Sequence, residues 1–285
     1  MTEIKNILVA LDLSDIDNTL IEYASYMADT LKAKKVYFVH NIKKYEISEL
    51  FEEQLKDINL DEIIGDDLNE KVAEKFKSPV EWEVLISEDP YSEALINYIV
   101  NKYEVHLALI GNKNKIKGTG AVSGKLLRLL KCNILSIPKS AKPIISNIWA
   151  GTDFSSASHK VFEVAENIQK ATDATVKAIH VYNVPIQFSP YIAKEHLDKK
   201  VEIHLKEKYE KFIKKIAYKG VLNTEIIAGR ENGVAEKMRS KAQAAKVDLI
   251  IVGDKGRNTF SSLLIGSVTE ELFNHDLEIP LWIVK

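Results

Sequence analysis

Gly253, Gly256 and Gly266 stand in the pattern Gly-x2-Gly-x9-Gly-Ser, within the stretch IIVGDKGRNTFSSLLIGSVTEEL at residues 250–272. Glycines let backbone N–H groups approach an anion and permit positive φ, so such a loop can form an anion-binding nest. A helix N-terminus behind the loop adds unpaired N–H groups and roughly half a positive charge. Gly266 and Ser267 stand where the last helix would begin, and Lys255 and Arg257 lie within the loop. These are the parts of a polyphosphate site. A structural account fits the same residues. Ser267-Val268-Thr269-Glu270 has the form of a capping box, with Ser267 bonding the N3 amide and Glu270 reaching back. The two accounts are compatible, because a capping hydroxyl can also touch phosphate.

Asp153 presents a similar choice. It ends the apolar run NIWAGTD before FSSAS. One reading makes it, or Ser155 or Ser156, the cap of the next helix. The other makes it an acceptor for an adenine amino group or a ribose hydroxyl.

The elements that must position these residues recur along the chain. NILVALDLSD at 6–15 is answered by NIWAGTDFSS at 147–156, placing Asp12 opposite Asp153. KKVYFVHNI and ATVKAIHVY pair His40 with His180, and EVHLALIGNK and KVDLIIVGDK pair Gly111 with Gly253. The offsets of 141, 140 and 142 residues are nearly constant, which indicates two copies of one unit. The seam lies near SIPKSAKPIIS at 136–146, giving domains of 1–140 and 145–285. In the second copy, near-continuously apolar runs at 146–152, 175–181, 222–228, 247–252 and 280–284 predict strands. Amphipathic stretches at 156–171, 191–218, 233–245 and 267–276 predict helices. Strands buried on both faces and joined by helical crossovers predict an α/β chain: two tandem, doubly wound, Rossmann-like domains with five-stranded parallel sheets. With strand order 3-2-1-4-5, Asp153 and Gly253 both fall at the switch point, where such sheets bind ligands.

Composition sets the wider bounds. Of 285 residues, 46% are hydrophobic and 28% charged, which is globular composition. A net charge of −2 argues against a general nucleic-acid or membrane-surface binder. Cys132 is the single cysteine, which excludes an intrachain disulfide and fits a reducing compartment. The first residues lack the basic region and long apolar stretch of a secretory signal, and no run approaches a membrane span. A cytoplasmic protein is the expectation.

The repeated unit, with Asp ending strand one and Gly-x2-Gly-x9-Gly-Ser after strand four, resembles the universal stress protein family over essentially the whole chain. GTDFS, VDLIIVG and IGSVTE read as segments of that family, in which the glycine motif marks the ATP-binding branch. The resemblance implies ATP, usually with Mg2+ or Mn2+, lying across the switch point of the second domain. It implies that Gly151, Thr152 and Asp153 flank adenine, with Asp153 bonding the base and Val181 offering backbone groups to its edge. Val252 and Gly253 would pack near the ribose and Gly256 would face the phosphates, with Arg257 beside it in the loop. Gly266, Ser267, Val268 and Thr269 would close on the phosphates through amides and two hydroxyls. The resemblance also implies that the domains pair through their last strands, 134–138 and 280–284, as an intrachain pseudo-dimer. It is compatible with a homodimer.

The first copy departs from the motif. One alignment sets Gly120 opposite Gly266 and Ala121 opposite Ser267, with Asn114 for the second glycine and five intervening residues instead of nine. A rival keeps nine residues and sets Gly124 and Lys125 in those places. Either way a motif residue and the hydroxyl are lost, so the first copy is expected to bind ATP poorly or not at all. Lys113, Lys115 and Lys117 read as a solvated basic loop. GTGAVSGKL fails as a Walker A loop, having Thr119 for its first glycine and Leu126 for its hydroxyl.

No histidine and cysteine spacing suggests a metal site, and there is no Gly-x-Ser-x-Gly elbow. His196 and His204 read as surface, His40 and His180 as structural, and Cys132 as packed. The charged stretches 45–78 and 191–219 read as solvated helix faces. The expected function is therefore a regulatory, stress-response binding protein whose ATP occupancy is read by a protein partner. An ATP-using enzyme is one alternative, lacking a nominated base for fast phosphoryl transfer, and a nucleotide-free interaction module is the other.

Overall fold

In the computed structural model of the chain, the structure describes residues 3–43, 59–112, 120–156, 158–182, 194–229, 233–256, 265–274 and 277–285. The chain divides into two compact units, Met1–Ile144 and Ile145–Lys285. Arg257, Lys113, Asn114, Lys115 and Lys117 lie outside the described residues, as does the side chain of His196.

The first unit runs β1 Asn6–Leu11, α1 Ile16–Leu31, β2 Lys35–Ile42, α2 Leu60–Lys75, β3 Glu81–Glu88, α3 Ser92–Lys102, β4 Leu107–Asn112, α4 Gly120–Leu129 and β5 Asn133–Pro138. The second runs β6 Asn147–Gly151, α5 Ser158–Thr172, β7 Thr175–Tyr182, α6 Lys194–Ile216, β8 Leu222–Ala228, α7 Val234–Ala244, β9 Leu249–Gly253, α8 Ser267–Asn274 and β10 Leu281–Val284. Within the first unit the strands lie in the order β3-β2-β1-β4-β5, and within the second in the order β8-β7-β6-β9-β10. The strand pairings within each unit are parallel. Counted from each unit's own first strand, both read 3-2-1-4-5. The fold class is the doubly wound parallel α/β class that the sequence pattern predicts.

The inner strands are buried along their length, as helices on both faces require. Ile7, Leu8 and Val9 of β1 and Ile148, Trp149 and Ala150 of β6 are almost wholly excluded from water. Strand three of each unit is less buried and carries polar residues, as in Glu81, Glu83 and Glu88 of β3. Lys35 of β2 reaches across to Glu81 and Glu83 at 2.6 and 3.0 Å. Such exposed pairs decorate an edge and add little stability. Cys132 is buried just before β5, as expected.

One backbone feature recurs in both units. The residue after the strand-ending aspartate takes a left-handed conformation: Leu13 at φ 62° and Phe154 at φ 62°. A non-glycine residue held there costs on the order of 1–2 kcal/mol. Hydrogen bonds hold each turn. Phe154 N–H donates to Thr152 Oγ1 at 2.9 Å, and Leu13 N–H donates to Asp17 Oδ2 at 2.9 Å. The chain is thereby turned sharply off the end of strand one, which leaves Asp12 and Asp153 at the open end of their sheets.

Candidate functional site

At the carboxyl ends of β6, β7 and β9 the second unit encloses a cavity of about 430 Å3. That volume falls in the roughly 300–1,000 Å3 range of small-molecule sites. Of the residues named from the sequence, Gly151, Thr152, Asp153, Val181, Val252, Gly253, Gly256, Gly266, Ser267, Val268 and Thr269 all line it.

Asp153 is anchored from below. Its Oδ1 accepts the Ser158 hydroxyl at 2.9 Å and the Ser155 N–H at 2.9 Å. The carboxylate therefore does fasten the turn into α5, as the capping account supposed. Its Oδ2 lies toward Gly256, where an added Cβ would come within 3.3 Å of it. A Cβ at Gly266 would in turn sit 3.3 Å from the Gly256 nitrogen. Asp153, Gly256 and Gly266 are thus packed in series, closing one wall of the cavity.

The three glycines correct one expectation. None of Gly253, Gly256 and Gly266 has a left-handed φ. Each is needed for close approach instead: a Cβ at Gly253 would lie 3.2 Å from the Lys255 carbonyl oxygen. Among the described residues of this site, Phe154 is left-handed.

The capping box is a second correction. Helix α8 begins at Ser267, and Glu270 N–H donates to the Gly266 carbonyl at 2.9 Å. Gly266 is therefore the N-cap, and Ser267 stands one position inside the helix with its side chain exposed. Gly266 N–H itself donates back to the Asp254 carbonyl at 2.7 Å, tying the two ends of the loop together. The next amides, of Ser267, Val268 and Thr269, belong to the first turn and have no partner four residues earlier in the helix. The Thr269 hydroxyl donates to the Gly253 carbonyl at 2.6 Å. Its proton is used in clamping α8 to the end of β9.

Opposite this donor wall, the His180 Nδ1–H donates to the Thr152 carbonyl at 2.7 Å, and the ring lies 4.4 Å from that of Phe154. The same bond recurs in the first unit, from His40 Nδ1 to the Leu11 carbonyl at 3.1 Å. A carbonyl oxygen only accepts, so Nδ1 carries the proton. Burial pushes the His40 imidazole below its ordinary value, with the Leu11 bond opposing. Both histidines stand on the second strand of their sheets, flanked by strands one and three, and not at the edge. Thr152 N–H donates to the Ile179 carbonyl. Because alternate residues of a strand face the same edge, Val181 turns its N–H and C=O the same way, past the end of β6.

Sequence reading missed Lys208, Leu205, Ser158, Val234 and Met238, which line the cavity together with Lys255 of the loop. Lys208 comes from α6, taken as a solvated face. A signal existed: Lys208 falls between the buried Leu205 and Phe212 at helical spacing, on the inward side. The cavity thus has amides and two lysines as donors, and Asp153 and backbone carbonyls as acceptors. Among the described residues, no group of three or more His, Cys, Asp or Glu side chains is arranged to hold a metal ion.

The first unit decides between its two alignments. Helix α4 begins at Gly120, and Val122 and Ser123 line its cavity as Val268 and Thr269 line the other. The helix start at Gly120, and not Gly124, therefore corresponds to the start at Gly266–Ser267. Gly124 and Lys125 are inside the helix, where Lys125 pairs with Glu93 of α3 and holds that carboxyl below its usual range. Asp17 occupies the place of Ser158. It is fully buried and accepts the Asp12 and Leu13 N–H groups at 3.2 and 2.9 Å.

Fold and cavity together define a doubly wound α/β protein with a cavity of small-molecule size at the switch point of its second unit. The model of the Universal stress protein family matches residues 145–285. Universal stress protein MJ0531 of Methanocaldococcus jannaschii is 31% identical over 168 residues, covering 56% of this chain and 94% of that protein. The chain belongs to the universal stress protein family. Two solved structures share its fold along the whole chain. One is a universal stress protein from Archaeoglobus fulgidus, 16% identical, with a TM-score of 0.67, covering 100% of this chain and 99% of that one. The other is the functionally unknown protein PA1789 from Pseudomonas aeruginosa, 16% identical, with a TM-score of 0.71, covering 99% and 92%. Among the described residues no helix is long and apolar enough to cross a membrane.

Proposed function

We propose that the chain is a tandem stress-response regulator that holds ATP in the second unit and that a protein partner reads its occupancy. The observation that carries this reading is the series Asp153–Gly256–Gly266, which brings the glycine loop and the start of α8 against the strand-one carboxylate. The amides of Ser267 and Val268, with Lys255 and Lys208, would receive the phosphates. A helix N-terminus stabilises such an anion through its unpaired amides and dipole. Asp153 and the Val181 backbone would meet the adenine edge, one accepting from its amino group and the other pairing with ring nitrogen and amine. Gly253 and Val252 would flank the ribose. Thr269 serves by positioning, through its bond to Gly253. Mg2+ or Mn2+ would be carried on the phosphates.

Titration of the full chain with ATP tests this, with native mass spectrometry for stoichiometry. One ATP per chain is expected, and its loss in Gly266→Val. Equal binding by wild type and variant would remove the proposed site. A single-turnover assay separates regulator from enzyme: bound ATP is expected to persist, and rapid hydrolysis would overturn the regulatory reading.

A further inference from the structure

Asp254 stands inside the glycine loop, between Gly253 and Lys255, which both line the cavity. Its backbone is tied on both sides. The N–H donates to the Val284 carbonyl at 2.8 Å, and the carbonyl accepts the Gly266 N–H at 2.7 Å. Asp254 therefore joins the end of β10 to the start of α8. Its carboxylate turns the same way: Oδ2 lies 3.9 Å from Lys285 Nζ, and the two side chains are 17% and 9% exposed. Lys160 of α5 in turn donates through Nζ to the main-chain oxygen of Lys285 at 2.9 Å. The pair is sheltered from water, unlike the exposed pairs along β3. Removing one partner from such a pair strands the other charge where little solvent reaches it.

The first unit has no counterpart to this pair. Gly111 lies opposite Ile137 as Gly253 lies opposite Val284, so Asn112 and Pro138 hold the places of Asp254 and Lys285. Both are uncharged. The ion pair thus accompanies the complete glycine motif and is missing from the copy that has lost it. A carboxylate in a loop that is to receive phosphate also works against the ligand, because like charges repel strongly where water is sparse.

We propose, resting on the ATP reading above, that Lys285 is a positioning residue of the second unit's site. Through Asp254 it holds the glycine loop to the end of β10, and it offsets the carboxylate charge that the phosphates would otherwise meet. It acts on the loop and not on the ligand.

The test titrates ATP and adenosine into the full chain as wild type, as Lys285→Met, and as Lys285→Met with Asp254→Asn. Exchange of the Gly266 amide is followed by NMR in the same three proteins without ligand. Lys285→Met should weaken ATP roughly tenfold and leave adenosine unchanged, and should speed Gly266 exchange by about as much. Adding Asp254→Asn should restore most of both, since an amide in that place, like Asn112, needs no counter-charge. Unchanged ATP affinity or unchanged exchange in Lys285→Met would overturn the proposal. ATP and adenosine weakened alike, or a double variant no better than Lys285→Met, would mean general damage and overturn it too. A wild type that binds no ATP would instead remove the reading of the site. Gly266 exchange in the ligand-free chain would then still decide whether Lys285 holds the loop.

Discussion

Gly256 and Asp153 are packed against one another: a methyl group at residue 256 would stand 3.3 Å from the Asp153 Oδ2. The aspartate ends β6 and the glycine follows β9, so 103 residues of sequence separate the two groups that close one wall of the cavity. The contact works because Gly266 is also bare and lies over the Gly256 nitrogen.

Side chains at these glycines should therefore damage the site more than the fold. Gly256→Val places two methyl groups against a carboxylate, and the loop must shift. Overpacking of this kind costs about 1–3 kcal/mol, read as a lower urea midpoint. ATP affinity should fall by roughly tenfold or more, and an unchanged affinity would show that this wall does not face the ligand.

Thr269 is predicted to act through its bond to the Gly253 carbonyl. Thr269→Val keeps the shape and removes the donor, leaving a partly buried carbonyl short of a partner at a cost of about 1 kcal/mol. Thr269→Ser keeps the donor and should restore most of that stability. Should Val and Ser behave alike in denaturant melts, the clamp is not made by the hydroxyl.

Exchanging Ser158 for the residue that holds its place in the first unit should convert one site toward the other. Ser158→Asp sets a second carboxyl beside Asp153, removes the 2.9 Å hydroxyl bond and adds like charge. We expect ATP affinity to fall by roughly tenfold or more, most strongly at low salt, where repulsion is least screened. Equal loss at all salt concentrations would point to distortion instead.

Asp17 should leave a signature in the pH dependence of folding. Burial raises its carboxyl from the ordinary 3.8 to about 6, partly offset by its bond to the Asp12 N–H. The folded state thus keeps a proton that the unfolded chain has released. Stability contributed by this group is full below about pH 4 and is lost as pH rises to about 6, by up to roughly 3 kcal/mol. The difference in unfolding free energy between wild type and Asp17→Asn should trace that fall between pH 4 and 7. A flat difference would mean the carboxyl ionises normally.

How much of this was legible in the sequence follows from the range of each interaction. Apolar runs of β-branched residues, broken by amphipathic helices at matching intervals, revealed the α/β class and the placement of most elements. The stretch 267–276 was read as a helix, but its cap was read one residue late, at Ser267 rather than Gly266. Nothing local distinguishes a serine that caps from one that opens the first turn. The carbonyl that accepts from Glu270 does. The glycines were read as allowing both close approach and positive φ, and close approach is the use the fold makes of them, because only the folded neighbours of Gly256 and Gly266 reveal what a side chain would strike.

The sequence by itself determined a doubly repeated pattern of buried strands, an aspartate at the end of each first strand, and a donor-rich glycine loop in the second half alone. These are properties of residue type and spacing, and they act over a turn or two of chain. Tertiary structure decided which groups meet: Ser158 bonded to Asp153, Lys208 on the wall of the same cavity, Ile16 over Gly111, and Asp17 beneath Asp12. Lys208 and Ile16 reach their partners from separate crossovers, and Ser158 and Asp17 reach theirs through the left-handed turn that ends each first strand.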